Sequence, residues 1–544
     1  MVNIYILLIK PLNHIYTPAL LGDILRRRPG LSTKLVVGAV VVILLIAGIG
    51  FFMMNQPEEM PQELVVAIGI DMDTIDPHKQ TTTLVFNINR HIYDTLVWFD
   101  EEGDVIPWLA EEWSVSRDGL EYTFKLREGV KFNDGTEFDA YDVKANIDRW
   151  IDPNVKVPTR SQLGPVAGAE VMDKYTIKII LSEPYSPFLA ALANYLMITS
   201  EEVIEKFGNE TITEAVGTGP YVLAEWEKES QIVLEANEFW WGEELKITRI
   251  TWKIVKEAGT RVAALRAGDA QVAFLPPAAD KENLENDPNI EIFTPVTNRI
   301  LFIGIMPKGP LEDPRVRQAL NYAVDKEAIV ENVLFGLGVV ADAPIPPHFF
   351  GYSKMEPYEY DPDKARQLLR EAGYEDGLSL KMIHPTGRYL QDKEVAEAVQ
   401  AYLAEVGIEV TLETMDWPSF VQNLLKPLDE VDYDLVLVGW GPGVADAHFT
   451  LYPQFHSSQI IPNALGIARY SNPEVDQLLD QAMKELDEDV RKDLYSQAIE
   501  IIWEDAPWIF LYTQRNLLAV SKNLKGVFIH PGGEMFFFYT AYFE

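Results

Sequence analysis

The segment 439–455, GWGPGVADAHFTLYPQF, carries the side chains of this sequence that are best suited to chemistry. Asp446 and His448 stand one residue apart, so a carboxylate oxygen and an imidazole nitrogen can approach the same metal ion or substrate, and His456 follows. A metal site would need further ligands, but the other histidines are scattered along the chain. We therefore predict no metal site here. We predict instead that the segment lines a binding cleft.

Signatures of enzymatic chemistry are absent from the sequence. It contains no G-x-S-x-G elbow, Walker A loop, strand-linked G-x-G-x-x-G or H-E-x-x-H motif. It has no cysteine, which excludes disulfides, thiolate nucleophiles and cysteine-bound zinc. Carboxylate pairs such as Glu111 and Glu112 are adjacent, so their side chains diverge and are poorly placed for acid–base work. We predict no catalytic residues and no cofactor; an extracellular hydrolase on a large α/β fold is the alternative from another class.

Size and charge narrow the class of protein further. A chain of 544 residues is expected to form more than one domain. Its formal net charge of −37 is spread along the chain and argues against nucleic acid as a partner, because binding nucleic acid needs a basic surface. A solvated acidic surface explains this charge without any special partner.

The N-terminal region predicts a membrane anchor. Residues 35–54, LVVGAVVVILLIAGIGFFMM, are an uninterrupted apolar run of 20 residues, long enough as a helix to span a bilayer. Basic residues precede the run and acidic residues follow it: Arg26, Arg27, Arg28 and Lys34, then Glu58, Glu59 and Glu63. The positive-inside rule then leaves the arm 1–34 in the cytoplasm and exports the body. We predict a single-pass signal anchor in the cell membrane and a tether at 55–62, with cleavage of the anchor as the alternative.

The opening segment follows a predicted strand. YDLVLVGW (433–440) is a buried apolar run that leads directly into it, and strand and helix patterns alternate through the exported body, which is typical of an α/β fold. Ligands of such folds bind where strands end. Trp440 ends this strand and Trp417 lies just past the predicted strand 408–415, so we predict that both line a cleft; core packing is the alternative for each.

Local signals predict further elements of the framework. LVVAIGI (64–70) has the continuous apolar pattern of a strand buried on both faces. Asp139, Asp313 and Asp361 are placed to begin helices, the last two because a proline follows each of them. A long amphipathic helix is predicted over 489–504.

Several segments, in this order, resemble one family. They are DTIDPHKQTTT (73–83), HIYDTLVWFDEEGDVIPWLAEEW (91–113), YTFKLREGVKFNDGTEFDAYDVKANIDRW (122–150), VGTGPYVLAEW (216–226), IVLEANEFWWG (232–242), DPRVRQALNYAVDKEAIVENVLFGLG (313–338) and DPDKARQLLREAGY (361–374). The set is similar to the extracytoplasmic solute-binding proteins of family 5, the peptide/nickel-type receptors of ABC importers. The resemblance extends from about residue 63 to the C-terminus.

This resemblance implies a bilobed α/β fold of the periplasmic-binding-protein type (type II) with an extra domain, preceded by the transmembrane helix. The implied domains are domain I from 63–94, 217–304 and 512–544, domain II from 95–216, and domain III from 305–511. Two hinge crossovers would let the lobes close on a ligand between domains I and III. The implied partners are an ABC permease and its ATPase, and we expect a monomer. A chemosensory receptor on the same fold is a further hypothesis, which the short arm 1–34 argues against.

The resemblance leaves the ligand open. In peptide-binding relatives a carboxylate shortly after a Gly-Trp pair holds the peptide ammonium; here that position falls near Gly443, which has no side chain. Either Asp446 takes over this contact, or the protein reads no free N-terminus and binds an oligosaccharide or a nickel chelate, with His448 as a metal ligand. Arg388 is predicted to pair with an anionic ligand group, or else to be a surface arginine. Peptide is the leading prediction.

Overall fold

Strands and helices alternate along residues 62–80, 82–462 and 464–544, which the computed structural model of the protein describes. The predicted cytoplasmic arm 1–34, the membrane anchor 35–54 and nearly all of the tether lie outside the described residues and stay predictions. Among the helices of the described ranges, none is long and apolar enough to cross a membrane.

The strands form from short apolar or alternating runs, as the sequence patterns predict. In chain order they are β1 (Glu63–Ile68), β2 (Val97–Phe99), β3 (Val105–Pro107), β4 (Ala110–Val115), β5 (Glu121–Leu126), β6 (Val166–Asp173), β7 (Thr176–Leu181), β8 (Tyr221–Glu227), β9 (Gln231–Ala236), β10 (Arg249–Ile254), β11 (Val272–Phe274), β12 (Ile290–Phe293), β13 (Val296–Ile305), β14 (Gly338–Val340), β15 (Leu378–Pro385), β16 (Ile408–Met415), β17 (Leu435–Trp440), β18 (Trp508–Arg515), β19 (Leu518–Ser521), β20 (Leu524–Lys525), β21 (Phe528–Ile529), β22 (Phe536–Phe537) and β23 (Tyr542–Phe543).

Helices form many of the connections between these strands. In chain order they are α1 (Thr83–Asn89), α2 (Ala140–Ile151), α3 (Phe188–Tyr195), α4 (Glu201–Phe207), α5 (Ala258–Ala267), α6 (Lys281–Glu285), α7 (Pro314–Ala323), α8 (Lys326–Ala328), α9 (Pro362–Glu371), α10 (Asp392–Glu405), α11 (Trp417–Leu424), α12 (His448–Phe455), α13 (Pro473–Lys484) and α14 (Glu488–Asp505). The helix predicted at 489–504 is confirmed as α14.

Aspartates begin several helices because their carboxylates accept hydrogen bonds from the free N–H groups of the first turn. Asp139 caps α2, and Asp142 of that helix accepts a bond from the Asp139 N–H in return. Asp313 and Asp361 cap α7 and α9, where the following proline lacks an N–H that would have had no helical partner. The three helix starts predicted from these aspartates are confirmed.

Three larger sheets form the framework. The first sheet has the strand order β12-β19-β11-β1-β10-β9-β8, the second β14-β18-β13-β17-β15-β16, and the third β4-β5-β7-β6. In the first sheet β1 is parallel to β10 and β11, and in the second β15 is parallel to β16 and β17. Parallel strands are usually covered on both faces, which explains why β1 and β17 are largely buried apolar runs.

Two chain segments that lie side by side connect the first and second sheets. β12 leads into β13 and β18 leads into β19, and β12 pairs with β19 while β13 pairs with β18. The chain therefore crosses twice at the same place, near 294–295 and 516–517. The predicted domain boundaries at 304 and 511 fall inside β13 and β18, which both pair in the second sheet. The division into domains I, II and III stays a prediction.

Buried polar groups join the first and third sheets. Asp94 accepts hydrogen bonds from the indole N–H groups of Trp108 and Trp241 at 2.7 and 3.1 Å. Asp76 accepts bonds from Arg149 of α2 at 3.0 and 2.7 Å, and both side chains are almost fully buried. A charge left without its partner in such a place costs about 3–5 kcal/mol, so these contacts fix how the two sheets meet.

Acid is expected to destabilise this fold before its ordinary carboxylates titrate. Burial lowers the pKa of five histidines to about 3 or 4: His78, His91, His348, His448 and His530. In the unfolded chain they regain a pKa of about 6.5, so the unfolded state binds more protons and stability falls as the pH drops from about 6.5 towards 4. Burial raises the pKa of Asp142 to about 7, which opposes this loss by one proton.

Urea denaturation at pH values between 6.5 and 5 measures this effect. We expect the midpoint to fall steadily across that window, while the dependence of the unfolding free energy on urea concentration stays constant. Carboxylates in the unfolded chain titrate mainly below this window, so the slope reports the five histidines, reduced by the opposing proton of Asp142. A flat profile between pH 6.5 and 5 would show that the buried histidines do not control acid stability.

Candidate functional site

A cavity of about 1170 Å³ lies where strand ends of the second sheet face the first sheet. Its second-sheet wall includes residues at or after the ends of β15, β16 and β17, which meet at one edge because these strands are parallel. Its first-sheet wall includes 82–84 at the start of α1 and 274–279 after β11. A ligand in this cavity would contact both the first-sheet wall and the second-sheet wall, which the two crossovers connect.

Three of the predicted site residues line this cavity. Arg388 follows β15, Trp417 begins α11 just after β16, and Trp440 ends β17. Trp440 also donates a hydrogen bond from its indole nitrogen to the carbonyl oxygen of Phe449 at 2.9 Å, which fixes the ring. The strand-end argument therefore groups these residues correctly; their contact with a ligand stays a prediction.

The guanidinium of Arg388 lies over two aromatic rings. Its central carbon is 5.0 Å from the ring centre of Trp417 and 5.1 Å from that of Tyr389, within the range of cation–π attraction. Trp417 stacks in turn on Phe420, with ring centres 5.4 Å apart. Burial, and then the neighbouring charge of Arg299, lower the pKa of Arg388. An anion placed beside these two cations would relieve their mutual repulsion.

A second charged cluster, absent from the sequence prediction, lies in the same cavity. Arg299 on β13 and Glu534 before β22 approach to 3.5 Å between Nη2 and Oε1, and their side chains are 15% and 19% exposed. Thr83 donates a hydrogen bond to the other carboxylate oxygen of Glu534 at 3.1 Å. The sequence does hold a signal, because Arg299 directly precedes the run 300–305 in the same strand, which is apolar apart from one glycine, and charged residues are rarely buried without a partner.

Gly439 and Gly441 leave room for the side chains that pack against the end of β17. A Cβ at position 439 would lie 3.0 Å from the ring of Tyr389, and one at position 441 would lie 2.9 Å from the guanidinium carbon of Arg299. Contacts this short would force the neighbouring groups to move. The glycines at 439 and 441 therefore allow Tyr389 and Arg299 to pack closely beside the cavity.

Gly443 lines a smaller chamber of about 230 Å³ next to the cavity. A Cβ here would lie 2.3 Å from the amide nitrogen of Asn194 and 2.9 Å from the hydroxyl of Tyr195. The position at which the family resemblance places an ammonium-binding carboxylate is thus filled by side chains of α3. Trp440 and Glu534 line both spaces, so the chamber and the cavity adjoin.

The structure places Asp446 and His448 outside the cavity. Both carboxylate oxygens of Asp446 accept hydrogen bonds from Arg491, at 2.7 and 2.8 Å, and the two side chains are 6% and 7% exposed. His448 is buried against the rings of Tyr185 and Tyr452. Burial, and then the charge of Arg491, lower the pKa of His448 to about 3, so its imidazole is neutral. The carboxylate of Asp446, for which a ligand contact was predicted, is thus paired with Arg491 inside the protein.

No metal centre is formed by the residues at hand: within the described ranges, no group of three or more histidine, aspartate and glutamate side chains is arranged to hold an ion. His456, which directly follows the opening segment, stacks its ring on Tyr452 with centres 4.4 Å apart. Both His448 and His456 therefore pack against aromatic rings.

Apolar side chains form much of the remaining wall. Five large ones are 40–56% exposed, and they are Ile70, Leu275, Phe335, Leu425 and Leu465. Large apolar side chains grouped on a surface commonly mark a place that is covered when a partner binds. The cavity therefore combines an apolar surface with a few charged groups, as sites for small ligands usually do.

Comparison with known proteins identifies the family of this chain. Residues 104–461 match the family model described as bacterial extracellular solute-binding proteins, family 5 Middle. The chain is 36% identical over 475 residues to the glutathione-binding protein GsiB of Escherichia coli (strain K12), and the match covers 86% of this chain and 92% of that protein.

Solved structures share the same framework. HbpA2 from Haemophilus parasuis has a TM-score of 0.79 and 29% identity, over 89% of this chain and 100% of that one. The ABC transporter-associated periplasmic binding protein DppA from Helicobacter pylori, in complex with peptide STSA, has a TM-score of 0.74 and 29% identity, over 89% and 98%. The predicted bilobed α/β fold of the periplasmic-binding-protein type is confirmed by these structures.

Asp446→Asn is expected to destabilise the protein without changing the affinity of its folded form for ligand. The substitution leaves Arg491 buried without a charged partner, which should lower the free energy of unfolding by about 3–5 kcal/mol in urea denaturation. Glu183→Gln is the control, because it breaks an ion pair with Lys484 whose side chains are 49% and 48% exposed. Such exposed pairs contribute at most about 1 kcal/mol. A loss of ligand affinity at unchanged stability would instead restore Asp446 as a ligand contact.

Proposed function

Because the chain belongs to the family 5 extracellular solute-binding proteins of bacteria, we propose that it captures short peptides and delivers them to an ABC permease. The relatives are binding proteins of ABC transporters, and this protein is accordingly a binding protein and not an enzyme. The peptide ligand, the delivery to a permease and the membrane anchor are the proposed part.

The charge pattern of the cavity carries the proposal. Arg299, Arg388 and Glu534 stand in a wall that is otherwise largely apolar, while a further lining arginine, Arg515, donates a hydrogen bond to the carbonyl oxygen of Thr294 at 2.8 Å. A peptide presents carboxylate, ammonium and apolar groups that match this pattern. A neutral oligosaccharide would leave the charged groups without partners, which is unfavourable once water is excluded.

A nickel chelate receives less support than a peptide. The described residues that line the cavity include no histidine, and His448 lies buried elsewhere. Glutathione is the first ligand to test, because GsiB is named for binding it, and DppA was solved with a peptide. Both names suggest a short peptide with a free carboxylate.

Each of the cavity-lining residues predicted from sequence receives a role in this proposal. Arg388 pairs with a carboxylate of the peptide, and Trp417 holds the guanidinium in place by a cation–π contact. Trp440 offers an apolar surface at the end of β17, and Gly443 shapes the adjoining chamber.

Capture would proceed by hinge closure at the two crossovers. The segments near 294–295 and 516–517 lie side by side, so they can bend together while the sheets stay rigid. A peptide that contacts both walls stabilises the closed form, which the permease then recognises. The predicted anchor at 35–54 would keep the protein near the permease and raise its local concentration there.

Arg388→Gln is expected to weaken the binding of glutathione by about 10–100-fold, because a charge-assisted hydrogen bond contributes about 1.5–3 kcal/mol. Isothermal titration calorimetry on the full chain in a mild detergent measures this loss. For a peptide whose carboxylates are amidated, the Arg388→Gln substitution should reduce the affinity far less.

Arg366→Gln is the matched control for this experiment. Arg366 lies on α9 with a side chain that is 45% exposed, and it does not line the cavity, so its removal should leave the affinity unchanged. Equal affinity of the Arg388→Gln variant and the unchanged protein would remove Arg388 from the site. If neither glutathione nor other short peptides bind the unchanged protein, peptide capture itself is wrong.

The full chain is expected to stay in the membrane fraction of bacterial cells after washing with alkaline carbonate, because the 20 apolar residues at 35–54 are enough to span a bilayer as a helix. A variant with residues 1–54 replaced by a cleavable signal peptide should be released. Release of the full chain, or a mature N-terminus beyond residue 54, would contradict the anchor and support cleavage.

A further inference from the structure

Building on the proposed peptide-binding function, we infer that Arg299 and Glu534 together recognise an α-amino-acid head group, in which a free ammonium and a free carboxylate share one carbon atom. Arg388 then binds a second carboxylate. γ-Glutamyl peptides carry such a head group, whereas in an α-linked peptide the carboxyl group next to the ammonium is part of the peptide bond. The cavity therefore selects γ-linked over α-linked glutamyl peptides.

The ion pair between Arg299 and Glu534 is loose. Its closest distance of 3.5 Å exceeds the length of about 2.7–2.9 Å that charge-assisted hydrogen bonds have. Both side chains line the cavity and keep part of their surface exposed. An ammonium and a carboxylate held on one carbon are about as close together as these two side-chain groups. They can therefore form two opposed ion pairs, the ammonium with Glu534 and the carboxylate with Arg299.

Both members of the pair are held in position before a ligand arrives. Thr83 binds one oxygen of Glu534 and leaves Oε1 towards Arg299. The guanidinium of Arg299 lies against Gly441, where a Cβ would come within 2.9 Å of its central carbon. Within the described ranges the guanidinium donates no hydrogen bond of normal geometry, so its donors are available to a ligand carboxylate. Positioning of this kind lowers the entropic cost of binding.

The charges of the cavity match the whole ligand. Apart from Arg515, which donates a hydrogen bond to the carbonyl oxygen of Thr294, the charged groups of the cavity are Arg299, Arg388 and Glu534, two positive and one negative. A γ-glutamyl tripeptide with a free C-terminus has the opposite set, two carboxylates and one ammonium. Arg388 is near enough to Arg299 for the charge of one to lower the pKa of the other, so two separate carboxylates relieve that repulsion. An ordinary dipeptide with one carboxylate would satisfy only one of the two arginines.

Two isomers of one tripeptide test the inference. γ-Glu-Cys-Gly and α-Glu-Cys-Gly have the same composition and the same charges, and differ only in which glutamyl carboxyl group forms the peptide bond. Both are used as S-methyl derivatives so that no disulfide forms. Titration calorimetry on the full chain in a mild detergent should give a dissociation constant at least about tenfold lower for the γ-isomer, because the α-isomer leaves buried charge without a partner.

Substitutions separate the two parts of the site. Arg299→Gln and Glu534→Gln should each reduce the preference for the γ-isomer to within about twofold, since each removes half of the head-group site. Arg388→Gln should weaken both isomers by a similar factor and keep the preference. Arg366→Gln, on the exposed face of α9, should change neither affinity nor preference. Melting temperatures without ligand verify that each variant is folded.

The outcomes distinguish this inference from the proposed function. Equal affinity of the unchanged protein for both isomers, or a preference for the α-isomer, overturns head-group recognition and leaves peptide capture standing. Binding of neither isomer, nor of any other short peptide, overturns both. The isomer comparison on the unchanged protein decides the inference even if a substituted variant does not fold.

Discussion

The cavity depends on three glycines, Gly439, Gly441 and Gly443, at positions that have no room for a side chain. At positions 439, 441 and 443 a Cβ would come within 3.0 Å of a neighbouring group, and the neighbours belong to β13, to the loop after β15 and to α3. Because these three positions carry no side chain, the end of β17 can pack against β13, the loop after β15 and α3 at the same time. Arg299 and Tyr389 then border the cavity, and Asn194 closes the space beside Gly443. The glycines of the segment in which Asp446 and His448 drew attention thus reflect close packing beside the cavity.

Elements with local signals can be predicted from the sequence. The alternating pattern at 408–415 coincides with β16, and α14 differs by one residue at each end from the predicted 489–504. Pairing between distant strands has no such signal. β13 and β18 lie next to each other in the second sheet, although residues 306–507 separate them in sequence. For this reason boundaries predicted at 304 and 511 fall within strands instead of at the crossovers.

The site shows the same division between local and distant information. Arg388, Trp417 and Trp440 come together because three neighbouring parallel strands end at one edge, and a strand end can be recognised locally. The partner of Asp446 is Arg491, which is 45 residues away on α14, and nothing near Asp446 distinguishes a buried ion pair from a ligand contact. Arg299 and Glu534 meet only through the tertiary fold, so their shared place in the cavity could not be predicted.

The overall charge and the charge of the cavity act over different distances. A net charge of −37 would repel an anionic peptide, but salt screens charges more than about 8 Å apart at physiological ionic strength. In the proposed binding mode the ligand would lie directly beside Arg299 and Arg388, where less water lies between the charges and their attraction is stronger. These two guanidinium groups, and not the net charge, would then decide the binding of a carboxylate. Composition describes the solvated surface of such a protein, and only the geometry of the cleft indicates which charges its ligand carries.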